Sequence, residues 1–357
     1  MNLELTDEQT ALRDTLRRYL AEKASLATYV RPLLDDEVAG ADSIWRGLAA
    51  MGVTGLLVPE DCDGAGMTMV EAGVVAEELG AALYPGPWLS TAVAATRALV
   101  RTGAEGNAAG LLTGIAEGSA IVTVVPLSDP RPTAIEGTRL HGTVACVPDA
   151  DDADVILVFA DEEGGIGLYS VDTSSAGLTM TPCANVDPTR VLADLVFDNA
   201  PARRLASVSE EAMNAVIDDV TIAYAADALG AATAVLNLAI DYAKVRKQFD
   251  QPIGSFQAVQ HLCVDMYETV ELARSGVIHA LWTADAGDPA EHHLAALRAK
   301  AFAGRLTKVG DTAIQVFGGI GLTWEHDAHL YLKRLLGWSR FLGSPDRYLE
   351  EVGEGLQ

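Results

Sequence analysis

The chain has 357 residues, 49% of them hydrophobic, enough to bury a large core divided over two or three structural units. Lys plus Arg total 25 against 50 Asp plus Glu. The resulting net charge of −25 repels nucleic acid and anionic lipid, and leaves any polyanion site to a local basic cluster, for which Arg203, Arg204, Lys244, Arg246 and Lys247 are the candidates.

The first residues, MNLELTDEQT, are polar and acidic, unlike a signal or transit peptide. No apolar run reads as long enough to cross a bilayer, so a cytoplasmic protein is expected. Residues 1–118 read as helical. Thr6 with Gln9 forms a capping box ahead of Leu12, Leu16 and Leu20. Asp42 is placed to cap a helix carrying Ile44, Trp45, Leu48 and Met51, and Thr68 with Glu71 to cap one carrying Val70, Val74, Val75 and Leu79. Residues 84–88, YPGPW, read as a turn before a helix around Ala92 to Val100.

Residues 119–205 change character to short β-rich runs at 120–125, 138–144, 155–160, 166–171 and 191–197, punctuated by Pro126, Pro130, Pro132 and Pro148. They predict a compact antiparallel β unit. The run 191–197 is apolar except for Asp194 and reads as a mostly buried strand. The acidic run 149–154 reads as a solvated turn, lacking the glycine and spacing of an EF-hand. Cys62, Cys146, Cys183 and Cys263 lie far apart without CxxC or Cys/His spacing, which predicts idle thiols in a reducing compartment and no metal site.

Residues 206–357 return to long helices, which with short connections predict an antiparallel bundle. One runs from about Glu210 through Lys244 and the next, capped by Ser255, to the turn at Ala286 and Gly287. A third starts at Asp288 and Pro289 and continues past Phe302 and Leu306 to Phe317, where Gly318, Gly319 and Gly321 stop it. Shorter helices follow around 329–336 and 345–353. Asp227 reads as a buried structural hydrogen-bonder, and residues 325–327, Glu-His-Asp, as a helix first turn. His292 and His293 are adjacent, face different sides of a helix and make a poor metal pair.

The break between the first two long helices carries the functional signal. Arg246, Lys247 and Gln248 set donors beside the aromatic Phe249, and Pro252 and Gly254 turn the chain sharply. A guanidinium suits a pyrophosphate in bidentate fashion, and the glycines after Gln315 let backbone approach a cofactor closely. Together RKQFDQPIGSFQAVQH (246–261 from Arg246) and QVFGGIGLTWEHDAHLYLKR (from Gln315) resemble the C-terminal domain of the acyl-CoA dehydrogenase family, and the likeness extends less specifically over nearly the whole chain.

The resemblance implies a mainly α fold with a central β domain: an N-terminal helical domain (1–118), an antiparallel β domain (119–205) and a C-terminal four-helix bundle (206–357). It implies FAD bound across a subunit interface and removal of two hydrogens from an acyl-CoA thioester, with an electron-transfer flavoprotein or similar acceptor. On this pattern Arg246, Gln248, Phe249, Gln315, Gly318 and Gly319 hold the FAD of a neighbouring subunit.

The other half of the family's site departs from the pattern. The segments that cup the flavin ring correspond to 123–129 and 144–148; the second lacks the expected aromatic and threonine, and Ser128 and Asp129 are remnants in the first. The family's catalytic glutamate falls at Leu342 in one arrangement and Val220 in the other. Asp219 is the remaining candidate base, about 100° around the helix from the expected position and one methylene shorter. The resemblance thus implies the subunit without the base in an α2β2 heterotetramer, as in the actinobacterial steroid side-chain enzymes, with a bulky acyl group and the glutamate from an unlike partner. Two alternatives stand beside it: a self-sufficient homotetramer using Asp219, and a flavin-free structural or regulatory subunit.

Overall fold

The computed structural model describes residues 4–35 and 42–355, with the Asp42 side chain outside the described set. The N-terminal elements are α1 (Asp7–Lys23), α2 (Arg31–Leu34), α3 (Asp42–Ala50), α4 (Met69–Ala81), α5 (Thr96–Arg101) and α6 (Ala108–Glu117). The capping boxes of Thr6 with Gln9 and Thr68 with Glu71 both form. The capping role expected of Asp42 falls on a side chain outside the described residues. A π-helical turn over Leu89–Ala95 runs straight into α5, so the helix expected around Ala92 is continuous with a wider coil before it.

The sheet contains β1 (Val122–Val125), β2 (Thr133–Ile135), β3 (Arg139–Pro148), β4 (Val155–Glu162), β5 (Gly165–Asp172), β6 (Leu178–Pro182), β7 (Leu192–Pro201) and β8 (Arg203–Val208). Its order is β6-β7-β3-β2-β4-β5-β8, with β1 added on β4. The sheet is mixed and not purely antiparallel: β1 runs parallel to β4, Val122 opposite Val155, and β2 meets β4 in parallel. The prolines after β1 supply no N–H donors for a hairpin back onto it, so the chain leaves β1 and pairs β2 with β3. β7 alternates instead of being mostly buried: Ala193, Leu195 and Phe197 face the core while Asp194 and Val196 are exposed. The acidic run at 149–154 is only partly solvated. Asp149 is buried and accepts a hydrogen bond from Ser90 Oγ at 2.5 Å, and burial raises its pKa.

The C-terminal helices are α7 (Glu210–Val245), α8 (Gln257–Ala286), α9 (Pro289–Ala303), α10 (Thr307–Phe317), α11 (Ala328–Arg340) and α12 (Pro345–Glu354). α7 is the axis of the molecule, packed by α4, α8, α9, α10 and α11. Its middle is long and apolar enough to cross a bilayer, which the sequence reading did not anticipate, but most of it is buried inside this fold as a core helix. A Cβ at Gly230 would sit 1.8 Å from the Glu77 carbonyl and one at Gly80 would sit 1.9 Å from that of Asp227, so α4 and α7 cross backbone to backbone. The helix expected from Pro289 to Phe317 is broken by a 3₁₀ turn at Gly304–Leu306, where a Cβ on Gly304 would strike the ring of Pro345 that opens α12. Ser255 does not cap α8. It lies in a 3₁₀ turn and donates to the Pro252 carbonyl at 2.7 Å, leaving Phe256 as the uncapped first position.

Asp219 on α7 is fully buried. It accepts from Arg97 Nε at 2.6 Å and from Arg101 through both oxygens, and lies 3.1 Å from His292 Nε2. Burial opposes its charge, but Arg97, His292 and Arg101 overcome this and hold its pKa at about 2. The depressed folded-state pKa means its stabilisation is fully present above the ordinary carboxylate range and is lost as pH falls toward about 2. Asp219→Asn should lower unfolding free energy in urea at neutral pH by about 3–5 kcal/mol, because it takes the carboxylate charge from both guanidinium groups and leaves Arg97 only Asp285 and Arg101 no ion-pair partner. The gap should narrow as the buffer is acidified below about pH 4. A variant as stable as the parent at neutral pH would show that this pairing contributes nothing net.

Candidate functional site

Two features meet the requirements of a site: an open corner at one end of the helical bundle, and a cavity between the sheet and the C-terminal helices. The corner starts where α7 gives out. Arg246 adopts an extended conformation, and a two-rung ladder pairs Lys247–Gln248 with Gln251–Pro252. The tip residues Phe249 and Asp250 take positive φ of 53° and 64°, the backbone of a tight hairpin turn that non-glycine residues adopt at some cost. Phe249 is 87% exposed, braced only edge-on by Phe256 at 6.1 Å. Arg246 and Gln248 are exposed, and their side chains make no hydrogen bond among the described residues.

The second expected segment lies at the same end. Tyr242, one turn before Arg246, packs on Phe317 with ring centroids 5.0 Å apart. This contact joins the end of α7 to the end of α10 and brings Gln315, Gly318 and Gly319 to the corner. Gln315 is exposed. Gly318 has a φ of 67° and a ψ of −146°, a conformation that side chains disfavour, and a Cβ on Gly318 or Gly319 would meet nothing within 4 Å. Free donors, an exposed aromatic face and bare backbone together suit a nucleotide diphosphate.

The cavity holds about 660 Å³ and is lined by segments 124–130, 143–148 and 185–187, by Arg190, Tyr224, Asp227 and Arg334, and by residues 337–338 and 340–343. Its floor is a closed ion network. Arg334, almost wholly buried, pairs with Asp187 at 2.7 Å and with both Asp227 oxygens at 3.0 Å, and also bonds Thr189 Oγ1 and the Tyr84 carbonyl. Arg190 reaches Asp227 at 2.8 Å, and its guanidinium lies 5.7 Å from the centroid of Tyr224, whose ring stacks on Phe341 at 4.2 Å. Two guanidinium groups thus face two carboxylates, leaving the floor close to neutral. Asp227 is the structural hydrogen-bonder expected from the sequence.

Both positions counted for a glutamate are visible. Leu342 lies on the cavity wall with a φ of 58°, followed by Gly343, so that position opens on the cavity but carries an apolar side chain. Val220 is buried in an apolar cluster. Asp219 is not among the lining residues and is held by its arginines. Each lining carboxylate is engaged: Asp187 and Asp227 as above, and Asp129 by Arg131 at 3.0 Å. Asp327 lies away from the cavity in a 2.6 Å pair with Arg31, and His293 pairs with Asp218 at 3.0 Å.

Two groupings escaped the sequence reading. Arg334 had a local signal, since it shares a helix face with Leu330 and Trp338 and is the charge in that otherwise apolar stripe. The other had none. Folding brings Cys146, Cys183 and Asp194 together, with their donor atoms all within 4.8 Å of one another.

Comparison with known proteins agrees with this architecture. The model for the acyl-CoA dehydrogenase N-terminal domain matches residues 6–119 and that for the acyl-CoA dehydrogenase C-terminal domain matches residues 211–356. The acyl-CoA dehydrogenase IpdE2 of Mycobacterium tuberculosis (strain ATCC 25618 / H37Rv) is 34% identical over 97% of this chain and 96% of its own length. Against another acyl-CoA dehydrogenase of the same strain, 36% identical over 98% of this chain, the chain spans only 48% of the relative's length. Among solved structures, the ChsE4-ChsE5 complex from Mycobacterium tuberculosis superposes with a TM-score of 0.91 at 26% identity, covering 100% of this chain and 99% of that one. A Tcur3481-Tcur3483 steroid ACAD variant superposes with a TM-score of 0.88 at 30% identity, covering 98% and 97%.

The cavity floor offers a direct test of its own. Arg334→Ala leaves Asp187 without its ion-pair partner and Asp227 with Arg190 alone, and should cost about 3–5 kcal/mol in urea unfolding. A loss below about 1 kcal/mol would mean that solvent reaches the floor and replaces the pairing.

Proposed function

The chain belongs to the acyl-CoA dehydrogenase family, and from that membership we propose that it is the subunit of a heteromeric FAD-dependent enzyme that helps to hold the cofactor while an unlike partner supplies the catalytic glutamate. The observation that carries this reading is the contrast between the two halves of the site. The corner presents unengaged donors, whereas the cavity presents leucine at position 342 and no carboxylate free of an arginine.

In this reading Arg246 and Gln248 bind the pyrophosphate of FAD from a neighbouring subunit, Phe249 covers the adenosine, and Gln315 bonds to the cofactor where Gly318 and Gly319 leave backbone bare. Bound FAD supplies the acceptor for the hydride leaving Cβ of the acyl thioester. This chain orients that cofactor and shields one side of the reaction from water, while the proton at Cα goes to the partner's carboxylate. The electrons pass on to an electron-transfer flavoprotein or a similar acceptor. Asp219 is held at low pKa by two arginines away from the cavity, which supports a base supplied in trans. The superposable complex bears two protein names, and a second superposable structure is titled a steroid ACAD, so an α2β2 assembly acting on a bulky, steroid-type acyl-CoA is the specific form proposed.

The test is the visible flavin spectrum and native mass of the chain, alone and co-expressed with an acyl-CoA dehydrogenase-like partner encoded beside it. A colourless chain that becomes a yellow heterotetramer with its partner is expected. A yellow homotetramer with full flavin occupancy and turnover of its own would overturn the reading. In the complex, Arg246→Ala with Gln315→Ala should weaken flavin retention about tenfold or more, the scale of losing charge-assisted hydrogen bonds at about 1.5–3 kcal/mol each. Unchanged flavin content would instead favour a flavin-free structural role.

A further inference from the structure

Three adjacent strands, in the order β6-β7-β3, bring two thiols and a carboxylate to one patch. Val144 pairs with Leu195 and Val147 with Ala193, so Ala145 and Cys146 together oppose Asp194 in a β-bulge. The bulge places Cys146 at a φ of 54°, a left-handed conformation uncommon for a residue with a side chain. The Cys146 N–H donates to Asp194 Oδ1 at 2.8 Å. From the other side, the β6–β7 register continues to Cys183, whose N–H donates to the Leu192 carbonyl and whose Sγ lies 3.1 Å from the same Asp194 oxygen.

We propose that Cys146, Cys183 and Asp194 form a binding site for a thiophilic divalent cation of the zinc class, with a fourth position left to water. A tetrahedral zinc centre has metal–sulfur and metal–oxygen distances of about 2.3 and 2.0 Å, which sets its donor atoms roughly 3.5 Å apart. The three donor atoms here already lie within 4.8 Å of one another, so closure takes side-chain rotation and no backbone rearrangement. Two sulfurs and one carboxylate exclude the hard cations calcium and magnesium, which take oxygen ligands. The binding step is balanced by proton release: the cation forms two metal–thiolate bonds and the two S–H protons leave to solvent, while Asp194 binds as the carboxylate it already is. Because Cys146 also lines the cavity, the cation pins the bulge that forms part of that wall. None of this depends on the dehydrogenase reading.

The experiment uses the full chain, with its partner where the two purify together, stripped of metal and kept reduced with a phosphine. Titration with Co²⁺ should give a thiolate-to-cobalt charge-transfer band that saturates at one equivalent and is displaced by Zn²⁺. Zn²⁺ should also protect Cys146 and Cys183, but not Cys263, from alkylation mapped by mass spectrometry. The band should vanish in Cys146→Ser with Cys183→Ser and persist in Cys62→Ser with Cys263→Ser. Absence of the band at stoichiometric Co²⁺, its survival without Cys146 and Cys183, or alkylation indifferent to Zn²⁺ would each overturn the site. So would a chain that forms a Cys146–Cys183 disulfide in air and takes up no metal when reduced. The alkylation pattern of the unaltered chain decides the matter even if the serine variants do not fold.

Discussion

Two aspartates buried about two turns apart on one helix hold this molecule together. Asp219 draws in Arg97 and Arg101 of α5 and lies beside His292 of α9, and Arg97 continues to Asp285 at the end of α8. Asp227 draws in Arg334 of α11 and Arg190 of the segment between β6 and β7, and Arg334 continues to Asp187 and the Tyr84 carbonyl. α7 therefore fastens the N-terminal helices, the sheet and the C-terminal helices by charge as well as by its apolar surface. Such pairing repays the desolvation of its members only when every oxygen and N–H finds a partner, as the two-oxygen contacts to Arg101 and Arg334 provide.

The same economy shapes the site. A carboxylate held by a guanidinium group is a strut and makes a poor proton acceptor, and each acidic side chain lining the cavity is held by at least one, Asp227 by two. The proposed cofactor contacts sit instead at the corner after α7, where Arg246 and Gln248 make no side-chain hydrogen bond among the described residues. The proposed division of labour between unlike subunits rests on this contrast between paired and unpaired charges.

What was legible in the sequence was local. The capping boxes at Thr6 and Thr68, the corner after Val245 and the glycine stop at Gly318 each depend on residues within a few positions of one another. What was not legible depended on distant partners. Asp219 carries no local mark of its role until Arg97 and Arg101, more than a hundred residues earlier, are folded against it. The parallel pairing of β1 with β4 crosses an intervening pair of strands, and β1, buried along its whole length, carries no alternation that would mark its direction or its partner. The break at Gly304 answers to Pro345, and the thiols of Cys146 and Cys183 meet only because a bulge and a strand register coincide. The corner residues, by contrast, are proposed from their types alone, and the contact of Tyr242 with Phe317 brings the two expected segments to one end of the bundle.

The glycine-to-backbone crossing of α4 and α7 has a consequence for how this scaffold changes over time. Gly80 abuts the carbonyl of Asp227, the residue at the cavity floor, with no room even for a methyl group. That wall can neither retreat to admit a larger guest nor advance to select a smaller one without moving two helices at once. Variation in what the cavity accepts is therefore channelled elsewhere on its lining, into residues 340–343 and the strand ends at 124–130 and 143–148. Divergence among relatives should be read there, with the helical wall as the fixed reference.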